Sequence, residues 1–293
     1  MSLFLQNCLT GISIGSIYAL IAIGYTMVYG ILRLINFAHG DIFMMAGYFM
    51  IICMTDLLIP WYISIVIVIL ATVLLGVLTE KIAYKPLREA PRMSIMISAI
   101  GVSYFLQNLA TYLFSAQPKP YPQIAFLNKT ITIGSISTSI VTFITPILTV
   151  VLVVLLVILV NKTKIGMAMR AVSKDFETSQ LMGVKINNVI SVTFVIGCAL
   201  AAIGSILYFT PRPSVWPLSG SLPGLKCFVA AVFGGIGSIP GALIGGFIIG
   251  LCETFVKGGS FSEFSDVFTF VILILVLLIK PTGLFGEKTK EKV

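Results

Sequence analysis

Polar side chains are scarce in this chain, and the ones with chemical potential fall into a few groups. The run Asn36-Phe37-Ala38-His39-Gly40-Asp41 gathers an amide, the single imidazole and a carboxylate directly ahead of the apolar stretch 42–54. An ionisable group in a bilayer costs roughly 2.5–3.5 kcal/mol at a helix centre, so such groups usually face a cavity or a partner. Asn36, His39, Gly40 and Asp41 are therefore candidates for a broken-helix element lining a translocation path. The plainer role is capping, with Asn36 or Asp41 satisfying free N–H groups where a helix begins. A proton relay through His39 and Asp41 is a third and weaker expectation.

A second group is Gly234-Gly235-Ile236-Gly237-Ser238-Ile239-Pro240-Gly241. Glycine permits unusual backbone angles and close approach, and proline stops a helix. Gly234, Gly235, Gly237, Ser238, Pro240 and Gly241 either line the path between two half-spans or a re-entrant hairpin, or form a tight turn between packed helices. The third group is a hydrophilic island, residues 163–183, set between long apolar runs. Ile165, Met169, Val172 and Phe176 recur at helical spacing as an apolar stripe, while Arg170, Lys174 and Glu177 follow another face. Asp175 is placed to cap a second short helix that Gly183 would end, and Asn187 or Asn188 to cap the next span. An amphipathic helix of this kind either lies on lipid headgroups or docks into a groove on a soluble protein. Arg212, Trp216 and Lys226 belong to or flank the Pro-rich segment 210–217; Trp216 suits an interfacial anchor, and Arg212 either receives a binding protein or a substrate carboxylate or is a solvated loop charge.

Other chemistries are excluded. No Gly-x-x-x-x-Gly-Lys-Ser/Thr loop occurs, so no nucleotide cradle is expected in this chain. No nucleophile–base pair or carboxylate dyad stands out. Cys8, Cys53, Cys198, Cys227 and Cys252 lie in apolar stretches at no metal-ligand spacing, and with a single histidine no His-based metal site is expected. The formal net charge of +8 comes from short basic loops, so nucleic acid is not an expected partner.

The elements that hold these groups must be membrane helices. Of 293 residues, 58% are hydrophobic and 10% charged, with a mean hydropathy of +1.06. That is too little polar surface for a water-facing globule, where about 25% charged is usual. Runs such as 150–160 and 267–279 lack the alternation of a barrel, so an all-α, polytopic bundle of about 8–10 spans is expected. Candidate spans are 8–32, 37–54, 57–79, 94–115, 140–160, 189–209, 225–236, 239–255 and 266–280. No basic start precedes the first apolar run, so a cleaved signal peptide is not expected. Most basic residues fall at Arg33, in 80–92, in 161–188 and in the tail with Lys280, Lys288, Lys290 and Lys292. The positive-inside rule puts these on the cytoplasmic side with the C-terminus. The N-terminus and the loops 116–139, 210–224 and 256–265 then lie outside, with 116–139 as a small extended lid.

Taken together, Asn36–Asp41, the island Gly166-Met-Ala-Met-Arg-Ala-Val-Ser-Lys-Asp175 with Gly183-Val, and Gly224-Leu-Lys-Cys-Phe followed by Gly234–Ala242 resemble the permeases of branched-chain amino-acid ABC importers, LivH type. The similarity runs from about Gly15 to Gly286. It implies a type II-like importer permease fold, one transmembrane permease domain over 1–293, and a bacterial or archaeal plasma-membrane location. It implies a second permease subunit, two cytoplasmic ATPases carrying ATP and Mg, and an extracytoplasmic substrate-binding protein, with no cofactor and no catalysis on this chain. The island becomes the coupling helix, through Gly166, Met169, Arg170, Ala171, Ser173, Lys174, Asp175 and Gly183. Urea and short-amide permeases share these motifs and remain the alternative. A stand-alone secondary transporter or channel would need ion ligands, for which His39, Asp41 and Glu253 are the candidates.

Overall fold

The computed structural model describes residues 2–88, 90–133, 136–259 and 262–286. Lys288, Lys290 and Lys292 of the predicted basic tail lie outside the described residues. In chain order the helices are α1 (Ser2–Leu32), α2 (His39–Ile51), α3 (Trp61–Thr79), α4 (Arg92–Phe114), α5 (Ala125–Asn128), α6 (Ile140–Lys162), α7 (Lys164–Lys174), α8 (Phe176–Leu181), α9 (Ile186–Phe209), α10 (Ser221–Gly234), α11 (Ile239–Lys257) and α12 (Ser265–Ile279). π-helical turns extend α2 over Ile52–Asp56 and α3 over Glu80–Tyr84. Every predicted span falls on a helix. Seven stretches are long and apolar enough to cross a membrane, on α1, α3, α4, α6, α9, α11 and α12. Helix α10, at 14 residues, is shorter than the roughly 20 a full crossing needs, and α2 has 13 residues before its 5-residue π-helical extension.

Burial sorts the helices into layers. The apolar windows of α1 and α9 are 72% and 67% buried, against 22% for α4 and α6 and 11% for α12. Helices α1 and α9 are thus central, and α4, α6 and α12 turn exposed apolar faces outward, as lipid-facing helices do. α2 is enclosed almost along its length, with Phe43, Met44, Ala46 and Tyr48 fully buried. The packing of α1 on α11 depends on small residues. A Cβ on Gly15 would stand 2.8 Å from the Phe247 Cα, and one on Gly250 would overlap the Gly15 backbone. Close approach of this kind replaces the hydrophobic drive that lipid cannot supply.

One end of the bundle collects the basic segments. Arg33 Nη2 lies 3.4 Å from the Ser173 carbonyl, Arg88 donates to Asn187, and Phe285 N–H donates to the Gly234 carbonyl at 2.9 Å. These contacts tie the end of α1 to α7, the segment after α3 to the start of α9, and the 234–241 turn to the start of the tail. At the opposite end Phe4 meets Phe255 at 5.4 Å, and Trp61 stacks on Phe126 at 6.4 Å. The expected lid is more ordered than an extended loop. Strand β1 (Lys119–Pro120) pairs antiparallel with β4 (Ser214–Val215), and β2 (Thr130–Ile133) with β3 (Ile136–Ser139).

Candidate translocation site

Two segments of irregular backbone run into the interior and meet. After Leu32, residues 33–38 fold back along α1. A Cβ on Gly24 would stand 2.6 Å from His39 Nε2, and His39 packs edge-on to Tyr25 at 4.7 Å. Gly24 lies two turns before the end of α1, so α2 begins about 12 Å inside the bundle end. From the other side, residues 211–220 descend to the start of α10. A Cβ on Gly40 would lie 2.8 Å from the Gly220 carbonyl oxygen and 3.1 Å from the Gly224 Cα. Only glycine at these positions lets the first turns of two helices touch through backbone. Both short helices therefore start deep in the protein with their N-termini converging. Non-helical backbone at such depth requires cover by protein or a wet cavity, and here a cavity of about 950 Å³ opens beside it.

Gly40, Asp41, Ser103, Gln107, Ser219 and Ser221 line the cavity where the two helices start. Asp41 is 2% exposed, and its carboxylate accepts the Ser103 hydroxyl at 2.5 Å and the Gln107 amide at 3.0 Å. Gln107 also lies 3.4 Å from the Ser221 Oγ, so α4 ties the two helix starts together. Further out, Lys226 reaches Glu253 at 2.8 Å and Asp266 at 2.5 Å, while Lys257 and the Tyr18 hydroxyl (2.7 Å) also donate to Glu253. This charged cluster pins α10, α11 and α12 to α1. Sequence reasoning placed Lys226 beside an outer loop; the structure buries it inside α10. Its signal was available: Lys226 and Glu253 are lone opposite charges in adjacent apolar spans. Arg212 lies 3.4 Å over the Tyr208 ring and donates to the Tyr208 carbonyl at 2.7 Å, so it is a cavity-wall residue rather than a free loop charge.

The family model for the branched-chain amino acid transport system permease component matches residues 7–277. The chain belongs to this permease family. It is 39% identical to the high-affinity branched-chain amino acid transport permease BraD of Pseudomonas aeruginosa, over 99% of this chain and 98% of the relative. It is 40% identical to LivH of Escherichia coli K12, over the same shares. It is 27% identical to a probable LivH of Methanocaldococcus jannaschii, over 94% and 90%. No solved structure matches it.

Within the permease, the first group of predicted residues divides. Gly40 and Asp41 line the cavity; Asn36 and His39 do not. Asn36 accepts the Tyr84 hydroxyl at 2.6 Å and the Ala38 N–H at 3.1 Å, which braces the inward turn. Neither Asn36 nor Asp41 caps α2, because Ala38 holds that position with no side-chain bond. His39 faces α1 and Asp41 faces α4, so the helix separates them and no relay joins them. The glycine group forms a tight turn: Gly235 and Gly237 have φ of 106° and 98°, and the Gly241 N–H donates to Ser238 Oγ at 3.2 Å. Gly234, Gly235, Gly237, Ser238, Pro240 and Gly241 do not line this cavity.

The island forms α7 and α8. Thr163 caps α7 through the Gly166 N–H at 3.0 Å, and Asp175 caps α8 through the Thr178 N–H at 3.0 Å. Gly183 ends the segment at φ 84°. Asn187 is not a cap, since Lys185 holds that position; it accepts from Arg88, which also pairs with the buried Glu80. The inward face of α7 is Gly166, Met169 and Val172, whereas Ile165 and Phe176 are exposed. The predicted single stripe is therefore split. Arg170 is tied to the Asn161 side chain at 2.8 Å, the Ser173 hydroxyl donates to the Arg170 carbonyl, and Ala171 and Lys174 lie on the exposed side. At the tip, Leu181 and Met182 are 87% and 80% exposed.

Proposed function

We propose that this permease is the membrane subunit of an ATP-driven importer that carries branched-chain amino acids into a bacterial or archaeal cell. The observation that carries the reading is full-length likeness to permeases named for that substrate, which favours amino acids over urea or short amides. The whole described chain acts as one permease domain, with the C-terminus and the end holding α7 and α8 in the cytoplasm. A second permease subunit covers the 950 Å³ cavity, because a wall carrying Asp41, Lys226 and Glu253 cannot face lipid without a large cost. Two ATPase subunits supply ATP, Mg and all catalysis, and an extracytoplasmic binding protein delivers the solute to the β1/β4 end.

The mechanism follows from the bracing of the island. Gly166 lets α7 pack on the end of α6, since a Cβ there would overlap the Val160 carbonyl. Arg33 meets the Ser173 carbonyl at the end of α1. A push on the exposed tip is thus passed to α1 and α6 rather than absorbed by a loose loop. Helix α1 carries Tyr25 and Gly24, against which α2 and α10 start, so its tilt changes access to the cavity. Direction comes from each conformation's different affinity for the ATPases and the binding protein. Leu181→Asp with Met182→Asp tests the docking role. The double variant is expected to insert normally, lose co-purifying ATPase and lose uptake; unchanged uptake would refute it.

A further inference from the structure

We infer that the cavity holds the two poles of a zwitterion at the junction of the short helices: Asp41 takes the α-ammonium, and the start of α10 with the Ser219 hydroxyl takes the α-carboxylate. This rests on the amino-acid reading above and assigns its contacts.

The two helix starts differ in charge. α2 carries Asp41 in its first turn, which offsets the positive end of its dipole, while the first turn of α10 has no acidic residue. A helix N-terminus without a resident acid attracts an anion. Ser219, adjoining that start, is 4% exposed, lines the cavity, and its hydroxyl has no hydrogen-bond partner. A buried unsatisfied hydroxyl is costly, and a ligand acceptor would recover that cost. The cationic side chains are otherwise engaged. Lys226 is committed to Glu253 and Asp266, Lys257 to Glu253, and Arg212 is stacked on Tyr208.

At the ammonium pole, Asp41 accepts from two neutral donors and forms no ion pair among the described residues, so a ligand ammonium would be its first cationic partner. Gln107 contacts both Asp41 and Ser221, which places the poles side by side, as the two ends of an α-amino acid are. The walls beyond are apolar, with Phe37, Ile100, Leu222 and Phe228 available to an aliphatic side chain. Glycine at 40 and 220 lets the two helix starts pack backbone to backbone, which holds both poles at one junction; a Cβ at either position would clash with the facing backbone.

The test uses the assembled importer in nanodiscs, without binding protein, titrated with leucine, 4-methylpentanoate (no ammonium) and 3-methylbutylamine (no carboxylate) by saturation-transfer NMR. Asp41→Asn is expected to weaken leucine and the amine roughly tenfold or more and to leave the acid within about twofold. Ser219→Ala is expected to weaken leucine and the acid and spare the amine. Equal weakening of all three probes by either variant, no effect, or no leucine binding by the unaltered complex would overturn the assignment. If Asp41→Asn does not assemble, Gln107→Leu makes the same comparison, with selective loss of the ammonium-bearing probes expected. ATP-driven leucine uptake by the unaltered complex with its binding protein is measured in parallel. Its absence removes the transport reading; its presence beside a non-selective Asp41→Asn removes only the zwitterion site.

Discussion

Lys226→Met should destabilise the permease less than its burial suggests, and the structure says by how much. Lys226 bridges Glu253 and Asp266, whose side chains are 2% and 42% exposed. Breaking a fully buried pair costs about 3–5 kcal/mol because a charge is left uncompensated. Glu253, however, keeps Lys257 and the Tyr18 hydroxyl, and half-exposed Asp266 can be hydrated. One charge-assisted bond at about 1.5–3 kcal/mol is then the main loss, so we expect about 2–3 kcal/mol. Glu253→Gln should cost a similar or larger amount, near 3 kcal/mol, because it leaves two ammonium groups around a neutral amide. The double variant leaves Lys257 and Asp266, 47% and 42% exposed and open to hydration, and should cost about 1–2 kcal/mol, less than either single change. Unfolding by SDS in mixed micelles, followed by circular dichroism, measures all three. If the single effects add in the double variant, Lys226 and Glu253 do not act as a coupled pair and the reasoning fails.

Other expectations can be checked with simpler measurements. Lys174→Cys should react with an impermeant maleimide only from the cytoplasmic side; labelling from outside would reverse the topology. Gly250→Leu should prevent accumulation of folded protein, since any side chain at 250 overlaps the Gly15 backbone and overpacking alone costs about 1–3 kcal/mol; normal yield and melting would show that α1 and α11 can separate. The permease purified without partners should show no ATPase activity above an empty-micelle control.

The spans were legible because each has a long apolar run, and the island was legible because charge at helical spacing stands out in an apolar chain. The caps at Thr163 and Asp175 and the left-handed Gly183 are local, so sequence spacing can reveal them. What spacing could not reveal is depth. The run 37–54 reads as an ordinary span, yet its helix starts about two turns inside the bundle because 33–38 folds back. The same is true of 225–236, whose helix starts at 221 against Gly40. Hydropathy reports whether a segment tolerates lipid; it does not report at what level a helix begins within a protein that already shields it.

That distinction explains why one glycine group bears on the cavity and the other does not. Gly234–Gly241 is the denser cluster, with two positive-φ residues, and it makes a turn at the bundle end. Gly40, Gly220 and Gly224 are isolated in sequence, but they are the residues through which two helix starts touch. A turn needs glycines close together in the chain, whereas a meeting of two helices needs them far apart in sequence and adjacent in space. Because that meeting directs two N-terminal dipoles at one cavity, and Asp41 offsets only one of them, the site is electrostatically asymmetric before any solute arrives. An uncharged solute such as urea has no use for that asymmetry, while an amino acid carries the complementary pair of charges.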